Sequence, residues 1–377
     1  MTFCDMNPAD FQILNPETIP SPALLVWPER VEHNIRVMID LAGGDASRLR
    51  PHMKTHKMGE AIALQVAAGI TKVKAATIAE AELAAAFGST DILLAYPLVG
   101  PNIVRFLDLM QAWPDKAFSA LADDPRAALT AARIAAGRGQ TLSLWIDLDC
   151  GMGRTGIVPG EEAVTLCRLL ATTPGLRFAG IHAYDGHIHD TDPAIRESRF
   201  NGIAGLIQEF QARLLEAGVD VPAVVAGGSP TFPLHASKGV WECSPGTTLL
   251  WDSGYGLEFP DLAFLPAAAL LTRVVSKPGN GRLTLDLGHK AVAAEQPLGR
   301  RVRFPALMDA DFVMQSEEHL VISTDHATSF EVGDVLIGVP WHVCPTVALH
   351  MEAVLIRDGR STGETWRIAA RDRRITI

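Results

Sequence analysis

A chain of 377 residues exceeds one average domain but fits a single large α/β barrel with an appended second domain. Its 48% hydrophobic and 20% charged residues exclude extensive disorder. The formal net charge of −10, with basic residues scattered along the chain, argues against nucleic acid or an anionic membrane as partner and points to a small molecule.

The first residues, through Glu17, carry neither the basic start nor the apolar run of a signal peptide, and no stretch reaches the roughly 18 to 20 apolar residues of a membrane-spanning helix, so a cytoplasmic location is expected. Cys4, Cys150, Cys167, Cys243 and Cys344 are odd in number and irregularly spaced, with no CxxC pair. That speaks against a disulfide framework and for mostly inert core thiols.

After Pro22 the apolar run Ala23 to Val26 reads as a strand, and Pro28 opens a segment with Val31, Ile35, Met38 and Ile39 at helical spacing. Short apolar runs then recur at 48–53, 72–76, 91–95, 117–121, 142–148, 177–183, 223–227 and 246–250, separated by Ala/Leu-rich helical stretches. Strands alternating with helices predict parallel βα units, and this number of them fits a closed (β/α)8 TIM-type barrel better than an open sheet. Past residue 258 the segments Ala267 to Ser276, Arg282 to Leu287, His319 to Ser323 and Val335 to Gly338 are short and β-like, punctuated by turn signals at Pro278 to Gly281, Gly333-Asp334 and Asp358-Gly359. The expected division is an α/β barrel over 23–258 and a mostly antiparallel β domain formed by 1–22 plus 259–377.

TIM-type barrels carry their catalytic groups at the C-terminal ends of the strands. Polar residues concentrate there: Pro51 to Lys57 after the first run, Asp147 to Gly156 after the fifth, His182 to His189 after the sixth, and Gly227 to Thr231 after the seventh. In isolation Lys54 reads as a surface lysine beside Lys57. At a strand end facing a barrel mouth, partial desolvation would lower its pKa and free its amine for Schiff-base chemistry. Gly228 and Ser229, with Gly246 and Thr247 after the last run, supply small residues whose backbone N–H groups can approach a phosphate, in the barrel region where phosphate sites recur.

Together these segments resemble the fold-type III pyridoxal-phosphate enzymes, specifically the D-threonine aldolase and D-serine dehydratase branch of the alanine-racemase-like group, along nearly the whole chain. The most specific element is Arg50-Pro51-His52-Met53-Lys54-Thr55-His56-Lys57, similar to the RPHxKTHK segment of that branch. The resemblance makes Lys54, and not Lys57, the lysine that carries pyridoxal 5′-phosphate. It also implies that Arg154, in Gly151 to Gly156, hydrogen-bonds the cofactor's phenolic oxygen and that Tyr184 lies against the pyridine ring. His187 and His189 follow on the same loop, and one of them would take the proton of the substrate's hydroxyl. The spacing in relatives favours His189, and the local register leaves both open.

Trp341-His342-Val343-Cys344-Pro345-Thr346 resembles the HxCPT segment that holds a divalent metal in this branch. Residues two apart on an extended strand face the same side, so an imidazole and a thiolate can bind one ion together. A bare HxC is otherwise a strand with a small buried thiol. Some relatives carry aspartate in place of Cys344. Thiolate with imidazole favours zinc, and carboxylate with imidazole suits manganese or magnesium, so the metal is left open among the three.

The resemblance implies a homodimeric lyase acting on a small D-configured 3-hydroxy amino acid. Cleavage between Cα and Cβ would give glycine and an aldehyde, whereas loss of the 3-hydroxyl would give a 2-oxo acid and ammonia with the same residues. The aldolase is favoured because Ala79 to Glu82 and Val347 to His350 look closer to D-threonine-aldolase-like chains. Racemisation, which needs a second base on the opposite face, and a non-catalytic cofactor-binding protein are the lesser alternatives.

Overall fold

The computed structural model describes residues 6–377, so Cys4 lies outside the described residues. The chain divides into two compact units. One joins the segment up to Val37 with Thr55–Ala61 and Thr247–Arg371; the other joins Met38–Lys54, Ile62–Gly246 and Asp372–Ile377. Strand β1 (Ala23–Val26) belongs to the first of these and is buried along its whole length. It pairs antiparallel with Ala268–Gly279 and parallel with Glu352–Arg357, so the barrel begins later in the chain than residue 23. An all-apolar run of this length suits any strand buried on both faces, and its sequence does not say which sheet receives it.

The second unit is a parallel sheet in the order β2 (Lys72–Ala75), β3 (Asp91–Pro97), β4 (Ala117–Ala122), β5 (Leu142–Leu148), β6 (Leu176–Ala183), β7 (Val224–Ala226) and β8 (Glu242–Cys243). Parallel strands are covered on both faces, which is why these runs are nearly continuous in apolar residues. Residues 49–52 hold the eighth position. The Arg50 N–H donates to the Cys243 carbonyl (2.9 Å) and the His52 N–H to the Pro245 carbonyl (2.7 Å), while the Lys74 N–H donates to the Pro51 carbonyl (2.9 Å). These bonds bridge both edges of the seven-stranded sheet.

The full strand expected over 48–53 is reduced to this bridge because Pro51 has no N–H and 3-10 turns at Ala46–Arg48 and Met53–Thr55 flank it. The last expected strand, 246–250, is a 3-10 turn at Thr247–Leu249, and Glu242–Cys243 takes its place. Leu249, Leu250 and Trp251 are buried without being a strand, so their apolarity was a core signal and not a strand signal. Inside the sheet Leu93, Leu121, Trp145 and Val225 pack together against Ala95, Ala179 and Ala223, and the Trp145 Nε1–H donates to Ser119 Oγ at 2.9 Å.

In the first unit the remaining strands are β9 (Ala268–Gly279), β10 (Arg282–Leu285), β11 (Val302–Arg303), β12 (Asp311–Gln315), β13 (Leu320–Ser323), β14 (Val335–Pro340), β15 (Glu352–Arg357) and β16 (Arg360–Arg367). Their sheet runs β12-β13-β10-β9-β1-β15-β16, with β14 joining β9 to β11, and only the β1–β15 pair is parallel. Asn280-Gly281 (φ 52° and 69°) and Asp358-Gly359 (φ 48° and 70°) turn two of its hairpins with both central residues in the left-handed region, the geometry that matches strand twist. Phe11, Leu25, Trp27, Leu271 and Ile356 form its core. Among the described residues no helix is long and apolar enough to cross a membrane.

Arg50 stands between the first residue of β3 and the first of β8. Its Nη1 and Nη2 each meet an Asp91 carboxylate oxygen at 2.8 Å, its Nε donates to Glu242 at 2.7 Å, and its side chain is 1% exposed. Burial disfavours the charge, but the two carboxylates outweigh it and raise the pKa further. Arg50→Met is expected to cost about 3 kcal/mol, because it strips two partly buried carboxylates of their shared cation. Urea unfolding midpoints check this, and a loss below about 1 kcal/mol would class the pair with ordinary surface bridges.

Candidate active site

The C-terminal ends of the barrel strands bring three cationic heads around one ring. Lys54 Nζ lies 5.9 Å from the Tyr184 ring centroid, Lys74 Nζ 5.5 Å and the Arg154 guanidinium carbon 5.2 Å. Such distances are within range of the ring's negative π face. Lys54 is in the 3-10 turn that follows the bridging segment, and its N–H donates to His52 Nδ1 at 3.3 Å. Arg154 projects from a loop that Asp149 shapes by accepting the Gly151 and Gly153 N–H groups at 2.9 and 3.0 Å. Those bonds hold the Asp149 carboxyl below its ordinary pKa.

Tyr184 is seated by glycines. A Cβ on Gly186 would come within 2.2 Å of its ring and one on Gly228 within 3.1 Å. The next residue, Asp185, is buried. It accepts the Thr231 hydroxyl at 2.9 Å through Oδ1 and meets His235 Nε2 at 2.8 Å through Oδ2, while Thr231 Oγ1 accepts the Gly228 N–H at 3.3 Å. Ser229 Oγ in turn accepts the Gly246 N–H at 3.1 Å. The loops after β7 and β8 are thus tied to each other and to the residue beside the tyrosine. Lys54, Arg154, Tyr184, Gly228, Ser229 and Gly246 all lie in the barrel unit.

Beneath them runs a chain of groups that motif reading does not single out. Lys74 Nζ is 3.3 Å from His182 Nε2, and His182 Nδ1 is 2.7 Å from Asp147 Oδ1. All three are buried, and Thr155 donates to the second Asp147 oxygen at 2.9 Å. Burial, assisted by the charges of Lys54 and Arg154, lowers the Lys74 pKa to about 7 against the pull of Asp147 and Asp185. Their signal was parity: charged residues inside otherwise apolar strands must point into the barrel.

On the loop after β6, His187 packs under Gly151, where an added Cβ would lie 3.3 Å from Nε2, and its buried Nδ1 has no hydrogen-bond partner. His189 is exposed.

Thr247, His342 and Cys344 come together in the other unit. Cys344 acts on His342, and Thr247 Oγ1 and Thr55 Oγ1 lie 3.7 and 3.2 Å from Cys344 Sγ. They are not on an extended strand, as the two-residue spacing suggested. β14 ends at Pro340, His342 caps the short helix Val343–Val347, and Cys344 is in its first turn. The turn starts there because the Val343 N–H finds the buried Asp252 Oδ2 at 3.0 Å and because Pro345 suits a first turn, where no N–H is needed. Burial works against the His342 charge, but Cys344, Asp252 and Glu295, the last at 2.7 Å from Nδ1, raise its pKa to about 9. Among the described residues no group of three or more His, Cys, Asp or Glu side chains is arranged to hold a metal.

Residues 26–253 match the alanine racemase N-terminal domain, and residues 267–356 match a putative serine dehydratase domain. The chain belongs to the alanine racemase N-terminal domain family and to the fold-type III pyridoxal-phosphate enzymes. Within that class it is a pyridoxal-phosphate-dependent lyase. It is 29% identical over 358 residues to a D-threonine aldolase of Arthrobacter sp., covering 94% of this chain and 93% of that protein. Its fold is similar to the crystal structure of D-threonine aldolase from Filomicrobium marinum, with a TM-score of 0.87, 27% identity and coverage of 97% and 98% of the two chains. It is likewise similar to D-threo-3-hydroxyaspartate dehydratase from Delftia sp. HT23, with a TM-score of 0.82, 25% identity and coverage of 93% and 97%.

The barrel residues fit an anionic aromatic cofactor: cations converge on an aromatic face, and glycines leave room where a Cβ would strike it. His56, next but one to Lys54, is fully buried, its Nδ1 accepts the Met58 N–H at 3.2 Å, and its Nε2 has no partner. Burial, with the charge of Lys57, lowers its pKa to about 3. A histidine depressed from about 6.5 takes up its proton only in the unfolded chain, so the stability it contributes is complete above that value and is lost as pH falls toward 3. Between about pH 7 and pH 5 the wild type should lose about 2 kcal/mol more than His56→Asn, which keeps the acceptor for Met58. Urea midpoints at the two pH values read the difference, and equal losses would remove His56 as the acid-sensitive group.

Proposed function

We propose that the enzyme cleaves D-configured 3-hydroxy amino acids between Cα and Cβ, as a D-threonine-aldolase-like lyase dependent on pyridoxal phosphate and a divalent metal. The observation that carries this reading is the convergence of Lys54 and Arg154 on the Tyr184 ring, beside loops held together by Ser229 and Gly246. Lys54 is the amine that holds the cofactor, Arg154 faces its phenolic oxygen, Tyr184 supports the ring, and Gly228, Ser229, Gly246 and Thr247 offer N–H and hydroxyl groups to the phosphate. Pyridoxal phosphate supplies an electron sink that weakens bonds at the substrate's Cα.

The base for the 3-hydroxyl proton is assigned to His187, which is partly enclosed and has an unpaired nitrogen, whereas His189 stands in water. His342 and Cys344 are the residues to hold the divalent ion, a donor pair that favours zinc over manganese or magnesium. The ion would act as a Lewis acid toward the substrate's hydroxyl. Dehydration to a 2-oxo acid and ammonia is the second reading. The similarity in fold and sequence to D-threo-3-hydroxyaspartate dehydratase supports it. The enzyme is further proposed to be a cytoplasmic homodimer; the buried free thiols Cys150, Cys167 and Cys243 suit a reducing compartment.

Purified protein incubated with D-threonine, D-serine and D-3-hydroxyaspartate should release glycine and an aldehyde. Pyruvate or oxaloacetate with ammonia would instead establish the dehydratase. Chelation should abolish turnover reversibly and leave the melting temperature nearly unchanged, since two protein ligands leave a metal site open and catalytic in type. His342→Ala should behave like the chelated enzyme, and Cys344→Asp should retain some activity with a shift toward manganese. Full activity of His342→Ala in metal-free buffer would end the metal assignment. His187→Asn is expected to lose at least a hundredfold in kcat and His189→Asn less than tenfold, the range expected for a general base against a bystander.

Borohydride reduction of the holoenzyme followed by peptide mapping should place the pyridoxyl group on Lys54, and Lys54→Ala should lose the visible absorbance while keeping its far-ultraviolet circular dichroism. A label on Lys57 would overturn the assignment.

A further inference from the structure

We propose that Lys74 is a positioning residue of this site: a buried cation held by His182 and Asp147, whose proton sets the charge felt by Lys54 and by the group bound to it. The inference rests on the reading that Lys54 carries the cofactor, and it assigns a task to a lysine that lies outside the motifs.

The geometry defines which proton goes where. Asp147 is an acceptor only, so the His182 nitrogen 2.7 Å from it carries the ring hydrogen, and the opposite nitrogen presents its lone pair to Lys74 at 3.3 Å. His182 is held neutral by burial and by Lys74, which lower its pKa although Asp147 raises it. The positive charge of Lys74 therefore reaches its nearest hydrogen-bonded counter-ion only through an uncharged imidazole. Such an indirect pairing leaves the ammonium weakly compensated. The groups around it are Lys54 from the turn after the bridging segment, Arg154 from the loop after β5, Asp147 on β5, His182 on β6 and Asp185 beyond β6. Two of these repel it, two attract it, and burial tips the balance toward loss of its proton near neutrality.

Lys74 and Lys54 approach the same Tyr184 ring, at 5.5 and 5.9 Å. While Lys74 is charged, a further positive charge on the group that Lys54 holds is disfavoured; once Lys74 gives up its proton, the penalty disappears. A lysine devoted only to packing would have no reason to be paired through a histidine to a second carboxylate-bearing strand.

The test uses the holoenzyme and reads the pH dependence of the bound cofactor's visible absorbance, with no turnover involved. Lys74→Met removes the cation for good, and the proton affinity reported by the spectrum should rise at least tenfold. Lys74→Arg fixes a cation there at all working pH values, and the affinity should move the opposite way, about tenfold below that of the wild type. Opposite shifts from two substitutions of similar size are not what a packing defect gives. Each variant is also reduced with borohydride and mapped. A pyridoxyl group on Lys54 with titrations of Lys74→Met and Lys74→Arg that coincide with the wild type overturns this proposal alone. A pyridoxyl group on wild-type Lys74 overturns the assignment of Lys54, and this role with it. Should Lys74→Met not fold, Lys74→Arg decides: an unchanged or increased proton affinity refutes the role, and a tenfold decrease supports it.

Discussion

Asp91 takes two of the Arg50 guanidinium N–H groups and Glu242 takes a third, and this allows a charge to persist almost wholly out of water. Each member comes from a different part of the sheet: Asp91 opens β3, Glu242 opens β8, and Arg50 belongs to the segment between the sheet's two edges. That segment makes too few backbone bonds to count as a strand, and the ion pairs supply what the ladder lacks at the closing position. Lys72 adds a further cation on Glu242. Four residues beyond Arg50 stands Lys54, so the closure at one end of the barrel fixes where that side chain emerges at the other.

The opposite end is organised by buried carboxylates. Asp147 and Asp185 do not pair directly with the cations around Tyr184; each is occupied by a histidine and a threonine hydroxyl, His182 with Thr155 and His235 with Thr231. The consequence is a cluster of three cations around Tyr184 whose neighbouring negative charges are held by other partners. The cations around Tyr184 are thus not claimed by direct contact with either carboxylate. Asp185 also sets the loop after β7, so the electrostatics and the shape of this region have one origin.

Much of this was readable in the sequence, for identifiable reasons. The strands from 72 to 183 agree with their apolar runs to within two residues because parallel strands covered on both faces leave an unbroken hydrophobic signature. Asn280-Gly281 and Asp358-Gly359 announce their hairpins because few other pairs tolerate two left-handed residues. The misreadings fall where one pattern serves two structures. Thr247 to Trp251 is apolar because it is buried, and Ala23–Val26 would suit either sheet. His342 and Cys344 are neighbours by way of a helical turn, since a spacing of two brings side chains together in more than one backbone geometry. Lys74 matches no motif, and His182 shows in the sequence only as one of several polar residues near a strand end, because a polar residue inside a strand does not reveal by spacing which groups it meets across the barrel.

The bridging segment has a further consequence for how the chain comes into being. Its partners at 243–245 are translated nearly two hundred residues after it, and β1 waits still longer for β9 and β15. At about 5 to 20 residues per second the ribosome leaves these edges without partners for tens of seconds. Throughout that interval the nascent barrel is an open sheet with two unsatisfied margins, the state most exposed to pairing with another chain. The Arg50 and His52 N–H groups face that margin, and they stay without their carbonyl partners at Cys243 and Pro245 until the last strand arrives.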